Sequence, residues 1–187
     1  MTRPTIVWLR RDLGLADNPA LAAAAARGGP VLPLWIQDDA AEGEWRTGAA
    51  ARWWLAQSLA SLAASIEARG GRLVRRRGDS LGVIRDIVAE TGADAVFWNR
   101  RYTPTGIAQD KGIKAALRAA GLEVPSFKAA VLVEPMQVDG PVGSFSRFFE
   151  RWQALLEPPQ PLPAPERLHT PEVASDPLDL QIGRASC

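Results

Sequence analysis

A chain of 187 residues that is 47% hydrophobic carries enough apolar material for one packed core, and its 22 basic and 21 acidic residues leave a net charge of +1, so no global basic field would drive it onto a nucleic acid. The single cysteine, Cys187, is the last residue and the single histidine, His169, lies in a proline-rich stretch, which excludes a disulfide framework, thiolate or histidine metal sites and Ser-His-Asp chemistry. No apolar run approaches the ~20 residues of a membrane span and no signal peptide precedes the first apolar run, so a soluble, cytoplasmic, monomeric chain is expected, without membrane contact.

The first element is the apolar run Ile6-Val7-Trp8-Leu9, rich in β-branched and aromatic residues, which predicts a buried strand. A charged turn, Arg10-Arg11-Asp12, follows, and Asp17-Asn18-Pro19 supplies an N-cap and a proline at the first helical position. Pro19 to Arg27 then predicts an alanine-rich helix stopped by Gly28-Gly29. Val31 to Ile36 predicts a second strand, and Pro33 within it suggests an early or edge position. A loop through Glu42, Glu44, Trp45 and Arg46 leads to the longest helix, Ala49 to Arg69, whose Leu55, Leu59, Leu62 and Ile66 fall on one face of a 3.6-residue period.

Leu73-Val74 predicts a short third strand, Gly78-Asp79-Ser80 a turn and cap, and Leu81, Ile84, Ile87 and Val88 a helix closed by Gly92. Ala95 to Asn99 is a fourth strand, Ile113, Ala116, Leu117 and Ala120 mark a further helix face, and Val124 to Phe127 is a fifth strand. The alternation predicts an α/β fold: a doubly wound, Rossmann-like, five-stranded parallel sheet flanked by helices. A loop with Gly140, Pro141 and Gly143 follows, then an aromatic helix from Phe145 to Leu156. Six prolines between Glu157 and Pro171 read as a linker that builds no core of its own.

Chemistry concentrates at the strand exits. Arg10, Arg11 and Asp12 follow strand one, Gln37, Asp38 and Asp39 strand two, and Asn99, Arg100 and Arg101 strand four. In a doubly wound sheet these turns share the rim at which ligands sit. Any single polar exit is ordinary, but three on one rim favour a polar-edged pocket. No G-x-G-x-x-G and no G-x-x-x-x-G-K-[ST] is present to cradle a phosphate. Trp8, Trp35 and Trp98 lie inside strands and read as core, whereas Trp53 and Trp54 cannot both point inward, so one is expected at a pocket wall or an interface. Arg75-Arg76-Arg77 reads as a solvated strand end or a phosphate patch, and Phe148, Phe149 and Trp152 as a packed helix face or a docking face.

Trp8-Leu9-Arg10-Arg11-Asp12-Leu13 followed by Asp17-Asn18-Pro19-Ala20-Leu21 resembles the opening signature of the DNA photolyase/cryptochrome family. Gly48 through Arg52-Trp53-Trp54-Leu55 to Ser58-Leu59, Gly78-Asp79, Trp98-Asn99 with Tyr102-Thr103-Pro104, and Phe145-Ser146-Arg147-Phe148-Phe149 with Trp152 agree in order, and the resemblance runs from about Thr5 to Pro165. It implies an N-terminal α/β domain over residues 1–135 that holds a light-harvesting antenna chromophore, a loop and docking helix over 136–157, and a Pro-rich linker over 158–187, truncated before the FAD-binding domain. That helical domain would hold FAD, act on cyclobutane pyrimidine dimers and be the only route to UV-damaged DNA, so this chain alone is expected to lack deoxyribodipyrimidine photo-lyase activity.

The residues that the resemblance assigns to the chromophore are Arg10, Arg11, Trp35, Gln37, Asp38, Arg52, Asn99 and Arg101. They resemble a deazaflavin (8-HDF) or FMN type of antenna site. The folate (MTHF) type uses an Asn-Glu pair where Thr105-Gly106 stands here. Gly14 replaces a usual arginine, Arg147 a common proline, and the segment before Phe145 lacks a usual tyrosine. A cryptochrome-type photoreceptor domain or a free-standing nucleotide-binding module are the rival expectations.

Overall fold

The computed structural model describes residues 2–41, 47–138 and 143–177. The loop expected through Glu42, Glu44, Trp45 and Arg46, most of the loop at Gly140 and Pro141, and the terminal stretch with Cys187 lie outside them. Strands β1 (Thr5–Leu9), β2 (Val31–Gln37), β3 (Val74–Arg77), β4 (Ala95–Asn99) and β5 (Ser126–Phe127) alternate with helices α1 (Pro19–Ala26), α2 (Ala49–Glu67), α3 (Ser80–Thr91) and α4 (Pro104–Ala119), and α5 (Phe145–Ala154) follows a 3-10 turn at Pro135–Gln137. All the strands pair in parallel, in the order β3-β2-β1-β4-β5. This is the doubly wound sheet that the alternation predicts.

A central parallel strand is covered on both faces, so it reads as an unbroken apolar run rather than an alternating one. Every residue of β1 is buried. Val7 and Leu9 face α1 and α2, packing with Leu21, Leu59, Leu62 and Ile66, while Ile6 and Trp8 face α3 and α4, packing with Ile84, Ile87, Ile113 and Leu117. The helices start where the sequence supplies an acceptor: Asn18 receives the Leu21 amide (3.1 Å), Asp79 that of Gly82 (2.8 Å) and Thr103 that of Gly106 (3.2 Å). Gly92 ends α3 in the left-handed region, at φ 67°.

Pro33 departs from the edge position its ring suggests, because β2 lies between β1 and β3. The Val31 amide and the Gln37 carbonyl bond on the β3 side of β2, so Pro33 presents its missing donor to that side too. Pairing with β3 begins one residue later, at Leu34 opposite Val74, so no ladder bond is forfeited. The third strand is longer than expected and contains Arg75, Arg76 and Arg77. The fifth is shorter, two residues. Neither tryptophan of the α2 pair is core: Trp53 is 50% and Trp54 68% exposed. The proline-rich segment makes no helix or strand through Pro177, yet it does contribute to the core, since Leu168 is buried among Leu62, Ile66 and Leu73.

Ile84 is fully buried at the centre of the α3–α4 side. Ile84→Ala should lower unfolding free energy by about 2–5 kcal/mol through lost transfer energy and the cavity left behind. Urea denaturation followed by far-UV circular dichroism measures it.

Candidate functional site

The strand order reverses between β1 and β4, and the crevice at such a reversal is where open α/β sheets bind ligands. Here the chain fills the crevice itself. The buried Asn99 amide donates to Asp12 Oδ2 (2.7 Å) and Asn18 Oδ1 (2.8 Å), and its Oδ1 accepts from the Ala20 amide (3.1 Å). Asn99 therefore ties the exit of β4 to the exit of β1 and to the start of α1. Asp12 also accepts from the Arg10 amide (2.9 Å), closing the turn after β1.

Arg10 folds back over the rim. Its guanidinium donates to the Asn99 carbonyl and to Asp110, and stands 4.3 Å over the ring of Trp8, which meets Trp98 edge-on at 5.6 Å. Only 8% of the side chain is exposed, and burial pushes its pKa down to about 10 against the opposing pull of Asp110. Asp110 Oδ1 accepts from both Arg10 (3.2 Å) and Arg101 (2.6 Å), so one carboxylate serves two cations. Arg101 also donates to Gln109 Oε1 (2.6 Å), and the Gln109 amide donates to Asp38 Oδ2 (3.2 Å). Asp38 receives the amide (3.0 Å) and hydroxyl (2.6 Å) of Ser80 at the start of α3. The chain Arg10–Asp110–Arg101–Gln109–Asp38–Ser80 thus runs unbroken across the exits of β1, β4 and β2.

Five of the expected site residues belong to this side of the rim: Arg10, Asp38, Asn99 and Arg101 inside the network, and Arg11 beside it, exposed and without an ion pair among the described residues. The other three group elsewhere. Gln37 accepts from Arg77 (3.2 Å) and donates to Asp39 (3.0 Å), and Arg52 of α2 reaches Asp39 at 3.9 Å while donating to the Thr47 carbonyl (2.8 Å). Trp35 and Gln37 line a cleft of about 190 Å³ with Arg75, Arg77 and Asp176. Arg75 has a buried Nε without a partner and no ion pair among the described residues.

Asp110, Gln109 and Ser80 escaped the sequence reading. The signal was there: Ile113 and Leu117 extended backwards by helical spacing reach Asp110 and Gly106, an acid on a buried face. A further cluster fixes the loop after β5, where Glu134 accepts from Arg100 (2.6 Å) and the Tyr102 hydroxyl (2.9 Å). Burial, then the bond to Glu134, raises the Tyr102 pKa to about 12.

Removing Asp110 leaves two cations facing each other at the rim. Asp110→Ala should cost about 3 kcal/mol or more, measured by urea unfolding, because a buried charge loses its partner. Tyr102 is the only tyrosine, so absorbance at 295 nm follows its ionisation alone. The folded pKa lies above the free value, so the stability it contributes is complete below about pH 10 and lost as pH rises to about 12. The native titration midpoint should fall near 12, and Glu134→Gln should bring it down.

The family model described as DNA photolyase matches residues 5–166. Deoxyribodipyrimidine photo-lyase of Agrobacterium fabrum is 46% identical over 176 residues, covering 92% of this chain and 36% of its own length. Cryptochrome-1 of Arabidopsis thaliana is 40% identical, covering 93% and 27%. The chain thus spans between about a quarter and little more than a third of the length of these two curated relatives. The crystal structure of a class III photolyase from Agrobacterium tumefaciens superposes with a TM-score of 0.87 at 43% identity, over 96% of this chain and 38% of that one. An archaeal photolyase from Sulfolobus tokodaii, solved with two FAD molecules, shares the fold with a TM-score of 0.78 at 22% identity. With its signature turn at the reversal of the sheet and the family model matched from β1 into the proline-rich segment, this chain belongs to the DNA photolyase family.

Proposed function

We propose that this chain is the light-harvesting domain of a photolyase-like protein and binds an antenna chromophore on the carboxyl rim of its sheet. The observation that carries the reading is the cleft beside Trp35, which joins an indole wall to the unpaired Arg75 guanidinium. A flat pigment with an acidic arm matches those two groups. At about 190 Å³ the cleft is smaller than the ~300 Å³ at which whole-ligand pockets begin, so it would receive one ring or the acidic arm. The remainder would lie along Gln37, Asp39 and Arg52. Such a pigment supplies the absorption of light; the residues of this chain hold and orient it.

A deazaflavin or FMN pigment is the one proposed because Thr105-Gly106 stands where the folate arrangement has an Asn-Glu pair, and the local packing holds that position to glycine. A Cβ at Gly106 would stand 2.7 Å from Thr103 Oγ1 and 3.0 Å from Arg101 Cβ, so no larger side chain fits there without moving the α4 cap. The partner would be the FAD-binding helical domain of the longer relatives, seated on α5. None of the residues of α5 is buried, and Phe145, Phe149 and Trp152 stack at 5.8 and 5.9 Å along one side of it. Repair of DNA would then belong to the whole protein. The 40% identity to Cryptochrome-1 supports a second reading, the same domain serving a blue-light photoreceptor.

Titration of the purified chain with 8-HDF, FMN and methenyltetrahydrofolate, followed by visible absorption and tryptophan quenching, tests the site. One flavin-type pigment should bind with a Kd of about 1–100 μM, and Arg75→Glu should weaken it about tenfold or more. Absence of binding by all three pigments overturns the reading.

A further inference from the structure

β3 is an edge strand of the sheet, and an edge strand presents unpaired backbone groups that invite another strand. In this chain they are already taken, and by the proline-rich segment. The amide of Arg75 donates to Ser175 Oγ (3.0 Å), the Arg75 carbonyl accepts from the Asp176 amide (2.8 Å), and the amide of Arg77 donates to Asp176 Oδ2 (3.0 Å). Two side-chain oxygens therefore stand where a neighbouring strand would place its carbonyls.

The segment reaches this position along a continuous set of anchors. The Leu168 amide donates to the Arg69 carbonyl (2.8 Å) and the His169 carbonyl accepts from Val31 (2.8 Å). The Thr170 hydroxyl receives the Arg72 amide (3.0 Å) and donates to the Val31 carbonyl (3.1 Å). Val173 accepts from the Arg72 guanidinium and packs on the α3–α4 side of the core. The sheet makes room for this path. A Cβ at Gly71 would lie 2.9 Å from Leu168 Cβ and 3.2 Å from Thr170 Oγ1. Gly71 is thus small for a reason beyond ending α2.

We propose that the outer edge of β3 is a strand-addition surface for an extended segment carrying a hydroxyl and a carboxylate on adjacent residues, and that residues 168–176 of this chain are its occupant. The charge of β3 favours such a segment: Arg76 already has Glu90 (2.7 Å), and the Asp176 carboxylate brings negative charge to the edge that carries Arg75 and Arg77, whereas a second copy of β3 would oppose arginine to arginine. The occupied edge also shapes the neighbouring cleft, because Asp176 and Pro177 line it opposite Trp35. The proposal stands on the hydrogen bonds made to the β3 backbone and does not require a pigment in that cleft.

The test is amide hydrogen exchange resolved by residue, on the full chain and on its Ser175→Ala/Asp176→Pro variant, each read in the monomer fraction. In the variant the Arg75 and Arg77 amides should exchange about tenfold faster, while those of β1 and β4 keep their rates. Unchanged exchange at Arg75 and Arg77 overturns the proposal. Where the double variant lacks a native far-UV spectrum, Asp176→Ala removes only the carboxylate and is read at Arg77, whose rate must rise while that of Arg75 does not.

Discussion

One buried amide holds the ligand side of this fold together. Asn99 leaves the sheet at the end of β4 with its side chain spent on Asp12, Asn18 and Ala20, three groups of the β1–α1 connection. A polar group withdrawn from water costs free energy unless every lone pair and hydrogen finds a partner, so its satisfied geometry fixes a single arrangement of its neighbours. The position of Arg10 depends on it, because the guanidinium rests on the Asn99 carbonyl. The position of Arg101 depends on Arg10 through the shared Asp110. The rim is therefore ordered from the reversal point outwards, and the cleft at Trp35 lies at its periphery.

That order changes what the signature turn is for. Arg10, Asp12 and Asn99 have the residue types of a ligand pocket, and their side chains are engaged almost wholly with one another. They build a rigid floor. The cations without a close ion pair are Arg11 and Arg75, which have none among the described residues, and Arg52, which stands 3.9 Å from Asp39. A rim whose inner ring is tied together by ion pairs and hydrogen bonds suits a ligand laid across the edge of the sheet better than one inserted into it.

The architecture was legible because each of its signals is local. Asn18-Pro19, Asp79 and Thr103-Pro104 mark helix starts by capping chemistry, and the run from Ile6 to Leu9 marks a two-faced strand by composition. The site was legible only in outline. Spacing places Arg10, Asp38 and Arg101 at strand exits but does not reveal that Asp110 and Gln109, a helical turn into α4, join them. Helical spacing marks Asp110 as an acid on a buried face, but its contact with Arg10 and that of Gln109 with Asp38 join residues 100 and 71 apart in sequence, which no local pattern encodes. The proline-rich segment misled for a related reason: its composition rules out a core of its own, yet says nothing about packing on someone else's. Leu168 needed only a gap, and Gly71 provides it.

The direction in which that segment runs has a mechanical consequence. Thr170 lies beside Val31 and Arg72 and Asp176 beside Arg75 and Arg77, so the chain travels alongside β3 in the same sense as the strand. A pull on Pro177 along the strand axis shears all the anchors at once, and they resist together. A pull perpendicular to the sheet meets the bonds of Asp176 alone, then that of Ser175, then Val173, then Thr170. The same contacts are strong in one direction and weak in the other, so the attachment yields to a twist away from the sheet long before it yields to tension along it.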